Sequence, residues 1–211
     1  MRRPGFDGVR PTTSRLAVLA LSAMLAPPAG AHHVIEGRIP TNGWEGLLSG
    51  LAHPVLSLDH FAFVLAAGLI AVLHRRGALV PIAFVAASLT GTGFHLLSWD
   101  LPAPEVMISV SVMLFGVLLI ARQLRLRVVV FLAVASGIFH GYGYGESIVG
   151  AEMTPLWAYL SGLALVQLVV GLSTWWLMQK VLQPITLQGR QALRMAGIAI
   201  GIVGLTHLAT Q

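Results

Sequence analysis

The sequence predicts an all-α fold: a polytopic membrane helix bundle of about six transmembrane helices, preceded by a cleaved signal peptide. Three observations predict it. Hydrophobic residues make up 56% of the 211 positions and charged residues only 10%, where a soluble domain carries about 25% charged residues. Mean hydropathy is +0.81. Apolar stretches approaching the ~20 residues of a membrane span succeed one another along the chain, and the basic residues collect in alternate loops between them.

The elements follow in order. Arg2, Arg3, Arg10 and Arg15 form a basic region, Leu16 to Leu25 a short apolar core, and Ala29-Gly30-Ala31 a small-x-small cleavage site. Residues 1–31 are therefore read as a signal peptide, and residues 32–211 as one integral-membrane domain. The first span runs from Trp44 to Leu73, the second from Leu79 to Leu97 and the third from Pro104 to Ala121. The fourth, from Val128 to Tyr142, is the weakest because its end is rich in glycine. The fifth covers Pro155 to Met178 and the sixth Ala192 to Leu208. Gly91 with Gly93, Gly197 with Gly201 and Gly201 with Gly204 are spaced to let helices approach closely.

Charge fixes the expected orientation. His74-Arg75-Arg76, Arg122 to Arg127, and Lys180 to Arg194 occupy alternate loops, which the positive-inside rule assigns to the cytoplasm. Both ends of the mature chain then face the periplasm of a bacterial inner membrane. The net charge of +5 reflects this orientation. A nucleic-acid surface would gather its charges on one face instead of dividing them among short loops, so no nucleic-acid partner is expected.

On this topology seven of the eight histidines fall towards the periplasmic side, as does every acidic residue beyond the signal. The chain has no cysteine, so any metal must be held by imidazole nitrogen and carboxylate or carbonyl oxygen. Asp59 is the most informative position. A carboxylate inside a span costs roughly 2.5–3.5 kcal/mol on insertion scales and marks a functional site by default. His53 and His60 flank it on one helix face, but seven residues of helix separate them by about 10 Å along the axis. They can meet on one ion only if the helix breaks, and Pro54 supplies the reason: the residue before a proline is driven out of helix, and proline favours a first helical position. A break is then expected at His53-Pro54; in an unbroken helix the two histidines are successive stations on one path. The stretch Phe139-His-Gly-Tyr-Gly-Tyr-Gly-Glu146 is the second constellation. Glycines at 141, 143 and 145 make regular helix unfavourable there, leaving carbonyls as further oxygen donors.

These residues carry a family resemblance. The pattern His-x5-Asp-His, met by His53, Asp59 and His60, resembles the first motif of the HupE/UreJ family, small membrane proteins regarded as nickel or cobalt permeases supplying hydrogenase and urease maturation. The resemblance covers nearly the whole mature chain and includes Leu101 to Ser111 leading into the third span. The family's second pattern, Phe-His-Gly-x-Ala/Val-His-Gly-x-Glu, is met by Phe139, His140, Gly141 and Gly145. Tyr144 stands at the family's second histidine and Ser147 at its glutamate, with Glu146 one residue early.

The reading is therefore a permease, not an enzyme, taking up Ni²⁺ or Co²⁺ from the periplasmic side; Zn²⁺ and Cu²⁺ share the same ligand preferences. His53, Asp59 and His60 form the expected metal site, with His140 and Glu146 facing it and His95 compensating for the missing histidine. His32 and His33, at the start of the mature chain, form a capture site, and Glu105 stands at the entrance. His207 is read as a helix-packing histidine. Ser88, Thr90, Ser109, Ser111 and Ser136 are the candidates to line the inner path. Two rivals share these residues: a metal-binding assembly subunit that transports nothing, and a metal-dependent intramembrane hydrolase. A homo-oligomer or larger membrane complex stays open.

Overall fold

The structure, a computed structural model, describes residues 38–121, 124–181 and 186–211. The expected signal peptide and the expected capture residues His32 and His33 lie outside the described residues. Seven helices occupy the described part: α1 Gly43–Leu56, α2 Leu58–Ala71, α3 Leu79–Leu96, α4 Pro104–Ala121, α5 Leu126–Gly145, α6 Met153–Val181 and α7 Leu187–Leu208. Five of them, α3 to α7, are long and apolar enough to cross a membrane, and α1 with α2 makes a sixth, broken span. Helix is the form that satisfies every backbone polar group internally, as a hydrocarbon surround demands. Ile82, Val117, Phe131, Leu165 and Ile202, one from each of α3 to α7, point outward. Such a girdle would be unfavourable in water and suits lipid.

Two helix starts are built by side chains. The Asn42 side chain accepts from the Glu45 amide at 3.0 Å, while the Thr41 amide and hydroxyl donate to the Glu45 carboxylate at 2.9 and 3.0 Å. This reciprocal arrangement satisfies donors that α1 would otherwise leave open. Thr186 does the same for α7, accepting from the Gly189 amide at 3.1 Å.

The broken span is the main departure of the fold from a plain bundle. α1 does not end at His53; it runs through Pro54 to Leu56, and the chain bends by 77° between α1 and α2. The bend lies at Ser57, whose backbone is extended (φ −83°, ψ 113°). Pro54 removes one hydrogen-bond donor from the last turn of α1. The Ser57 amide still reaches the His53 carbonyl at 3.2 Å, and the Ser57 carbonyl accepts from Phe61 at 2.9 Å to start α2. The proline thus weakens the helix end, and the break falls one turn later than expected.

α2 is the centre of the molecule, packed against α1, α3, α4, α6 and α7. Its buried face is dense in small residues, with Ala62, Ala66, Ala67 and Gly68, which let neighbours approach closely. The most extensive pairings are α3 with α5, α1 with α6 and α4 with α7. The expected small-residue seams are largely present. Gly91 meets the backbone of Ile138, a methyl added at Gly197 would lie 2.5 Å from the Gly116 carbonyl, and the Gly201 backbone lies beside Gly116, whereas Gly93 faces open space.

α5 continues unbroken through Gly141 and Gly143 to Gly145, which corrects the expectation of irregular backbone there. The reason is packing. Gly141 lies against the Ser88 backbone of α3, and a Cβ on Gly145 would meet the His95 side chain at 2.6 Å. The intrinsic cost of glycine in helix, about 1 kcal/mol each, is offset by contacts that no larger residue allows. The carbonyls are occupied too: that of Gly141 accepts the Thr92 hydroxyl at 2.8 Å, and that of Tyr144 accepts the Tyr159 hydroxyl at 2.8 Å.

Candidate functional site

The bend at Ser57 assembles a cluster of polar side chains from six helices. His53 on α1 comes within 5.8 Å of His60 on α2, measured between ring centres. His60 Nδ1 lies 2.8 Å from His140 Nδ1 on α5. Asp59 and His60 are consecutive, so they leave α2 about 100° apart. His60 turns to α5, and Asp59 reaches α7, with Oδ2 3.7 Å from His207 Nε2 and also 3.7 Å from His60 Nδ1. Asp59, His60 and His140 are buried, with relative exposures of 8%, 5% and 0%.

Hydroxyl groups hold these rings from behind. When the Ser111 hydroxyl on α4 donates to the Ile108 carbonyl at 2.7 Å, its oxygen accepts from His140 Nε2 at 2.9 Å. With its proton on Nε2, a neutral His140 accepts at Nδ1, and His60 Nδ1 donates to it. His53 Nδ1 lies 2.9 Å from the Ser147 hydroxyl and 3.2 Å from the Tyr159 hydroxyl of α6. Ser109 Oγ lies 2.7 Å from His207 Nδ1. Such partners behind an imidazole fix its tautomer and orientation, as they do around metal-ligating histidines. Among the described residues, no three His, Asp or Glu side chains close around a single point. The cluster is a row of nitrogen and oxygen donors.

A floor of aromatic rings closes the row on the side of the basic loops. Phe63 stacks on Phe84 with ring centres 4.7 Å apart and lies 4.5 Å from both Phe115 and His140. All three phenylalanines are buried.

The family model described as "HupE / UreJ protein" matches residues 19–207, a stretch that contains every member of this cluster. The chain belongs to the HupE/UreJ family. Protein HupE of Rhizobium leguminosarum bv. viciae is 29% identical over 154 residues, covering 71% of this chain and 73% of that relative. No solved structure matches.

Tyr144 and Ser147, at which this HupE/UreJ chain lacks the histidine and glutamate of the family's second motif, both face the cluster. The Tyr144 ring lies 4.4 Å from the His60 ring and 5.2 Å from that of His53, and Ser147 touches His53. The pattern therefore describes one place in the fold, at which this chain presents a phenol and a hydroxyl.

Of the expected site residues, the structure brings together His53, Asp59, His60 and His140. Glu146 is exposed at the end of α5, and its neighbour Ser147 makes the contact expected of it. His95 is also not in the cluster. Its ring packs on Tyr142 at 4.4 Å and against Gly145, on the face of α5 opposite His140 and Tyr144. Its Nδ1 is buried with no hydrogen-bond partner. Ser109 and Ser111, expected along the inner path, instead hold His207 and His140. His207, Tyr144 and Tyr159 were not foreseen as members. The signal for Tyr144 was its place in the motif; for His207 it was depth, at the same membrane level as the others. One turn from Phe84 towards the histidine end of α3, and beside Gly141, the Ser88 hydroxyl lies 3.4 Å from the buried Gln167 of α6.

Proposed function

We propose that this protein is a permease for a divalent transition-metal cation, Ni²⁺ or Co²⁺, with the row of His53, His60, Asp59 and His140 as its binding track. The observation that carries the reading is the 77° break at Ser57. It sets His53 over His60 at 5.8 Å, against the roughly 10 Å that a straight helix would impose. Histidines from α1, α2 and α5 then form a row that passes a buried carboxylate at His60. Imidazole and carboxylate without sulfur suit Ni²⁺ and Co²⁺ by ligand type, and Zn²⁺ and Cu²⁺ compete for the same donors. Family membership supports the same cargo.

The positive-inside rule puts the basic loops in the cytoplasm and the histidine end in the periplasm of a bacterial inner membrane. Uptake is then inward, and an inside-negative potential favours it by roughly 2.3 kcal/mol per charge per 100 mV. The Phe63, Phe84 and Phe115 floor is the inner gate, since an apolar constriction blocks a hydrated ion until it opens.

Purified protein in liposomes loaded with a metal-sensitive dye tests this. Wild type is expected to admit Ni²⁺ or Co²⁺, and Asp59→Asn and His60→Ala to lower the rate at least tenfold. Equal rates for the wild type and both variants would sink the permease reading.

A further inference from the structure

We infer that His207 and Asp59 form a second cation-holding pair on the track, with His207 Nε2 and an Asp59 carboxylate oxygen as donor atoms and Ser109 as the residue that positions the imidazole. The identity of the cation rests on the permease reading; the placement of the donors rests on geometry.

When the single hydrogen of the Ser109 hydroxyl goes to the Glu105 carbonyl at 2.9 Å, which can only accept, the serine oxygen accepts at 2.7 Å from His207 Nδ1 and the imidazole proton sits on Nδ1. A neutral ring carries one such proton, so Nε2 presents its lone pair. The Gln211 side-chain amide approaches that same nitrogen at 3.3 Å as a donor, which agrees with this tautomer, and it gives way when a cation takes the lone pair.

The lone pair faces an anion. His207 Nε2 lies 3.7 Å from Asp59 Oδ2, too far for a hydrogen bond and unfavourable for two acceptors with nothing between them. A cation between them reverses the sign. Nitrogen and oxygen donors sit about 2.1 Å from a first-row ion such as zinc, so two of them at a tetrahedral angle are about 3.4 Å apart. A closure of a few tenths of an ångström brings the observed pair to that separation. The pair is also reachable: the His207 side chain is 25% exposed and that of Asp59 10%. His60, the other neighbour of Asp59, already engages His140 through Nδ1, so the outward partner of the carboxylate is His207.

The rival role for His207 is a positive charge balancing Asp59, and the variants separate the two. Full-length protein in detergent is titrated with Co²⁺ alone, and binding is followed by calorimetry and by the cobalt d–d absorption, which reports the ligand set. His207→Arg keeps a charge beside Asp59 but supplies no ligand; His207→Gln keeps bulk and polarity. Both are expected to weaken Co²⁺ binding tenfold or more and to alter the absorption, and Ser109→Ala to weaken it by about tenfold, as for lost partners behind metal-bound histidines. Melting temperatures without metal confirm that the variants fold. Cobalt affinity and spectrum unchanged in both His207 variants overturn the assignment, as does binding retained in His207→Arg alone, which marks a charge partner. A wild type that binds no Co²⁺ overturns it too. If Asp59→Asn and His60→Ala lose binding while the His207 variants keep it, only this inference falls. If binding behaves as expected but liposomes show no flux, the permease reading falls and the pair stands.

Discussion

At the residue scale the site is decided by which way neighbouring side chains leave a helix. Asp59 and His60 are adjacent in sequence yet serve different partners, His207 on α7 and His140 on α5. His53, Asp59, His60 and His140 were legible from the sequence because ionisable groups at membrane depth are expensive and rarely idle. His207 was not, because an isolated histidine at a helix end gives no hint of a carboxylate far away in sequence that folds beside it. Glu146 is exposed at the end of α5, while Tyr144 on α5 and Ser147 just beyond it take the inward directions. This yields a test. Tyr144→His with Ser147→Glu restores the family's nitrogen and carboxylate donors beside His53 and His60. The double variant is expected to bind Co²⁺ at least tenfold more tightly than the wild type in a detergent titration. Binding that stays equal or weakens would mean that these two positions do not face the cation.

At the scale of the element, the helices themselves were readable from hydropathy, whereas their interruptions were not. Pro54 signals a weak helix end, but the chain yields at Ser57, where extended backbone can start α2 with little loss of hydrogen bonds. The glycines of α5 looked like helix breakers because the sequence shows their missing side chains and hides the α3 backbone that fills the space. Two glycines separate the causes. Gly93 faces open space, so Gly93→Ala is expected to be neutral or to stabilise by up to about 1 kcal/mol, the helix preference of alanine over glycine. A methyl on Gly141 would run into the Ser88 backbone, so Gly141→Ala is expected to destabilise by about 1–3 kcal/mol, the range for overpacking. Thermal melts of the two variants in the same detergent read the opposite signs. A Gly141→Ala that melts no lower than wild type would contradict the close α3–α5 packing.

At the scale of the whole molecule, the donors lie at one end of the bundle, the basic loops lie at the other, and a phenylalanine floor separates the two. Phe115→Ala opens that floor. It is expected to raise passive metal flux several-fold while costing about 3–5 kcal/mol of stability, as large aromatic truncations do; flux at or below the wild-type rate in folded protein would show that the floor is no barrier. The central claim is that a cation travels from the histidine end past Asp59 toward the basic end, driven by charge. The most direct measurement is Ni²⁺ or Co²⁺ uptake into liposomes of known protein orientation, at zero and at imposed inside-negative potential. For wild type whose basic loops face the vesicle interior, the account predicts uptake that rises with the potential and is lost in Asp59→Asn. Uptake that ignores the potential, or that survives in Asp59→Asn, would contradict it.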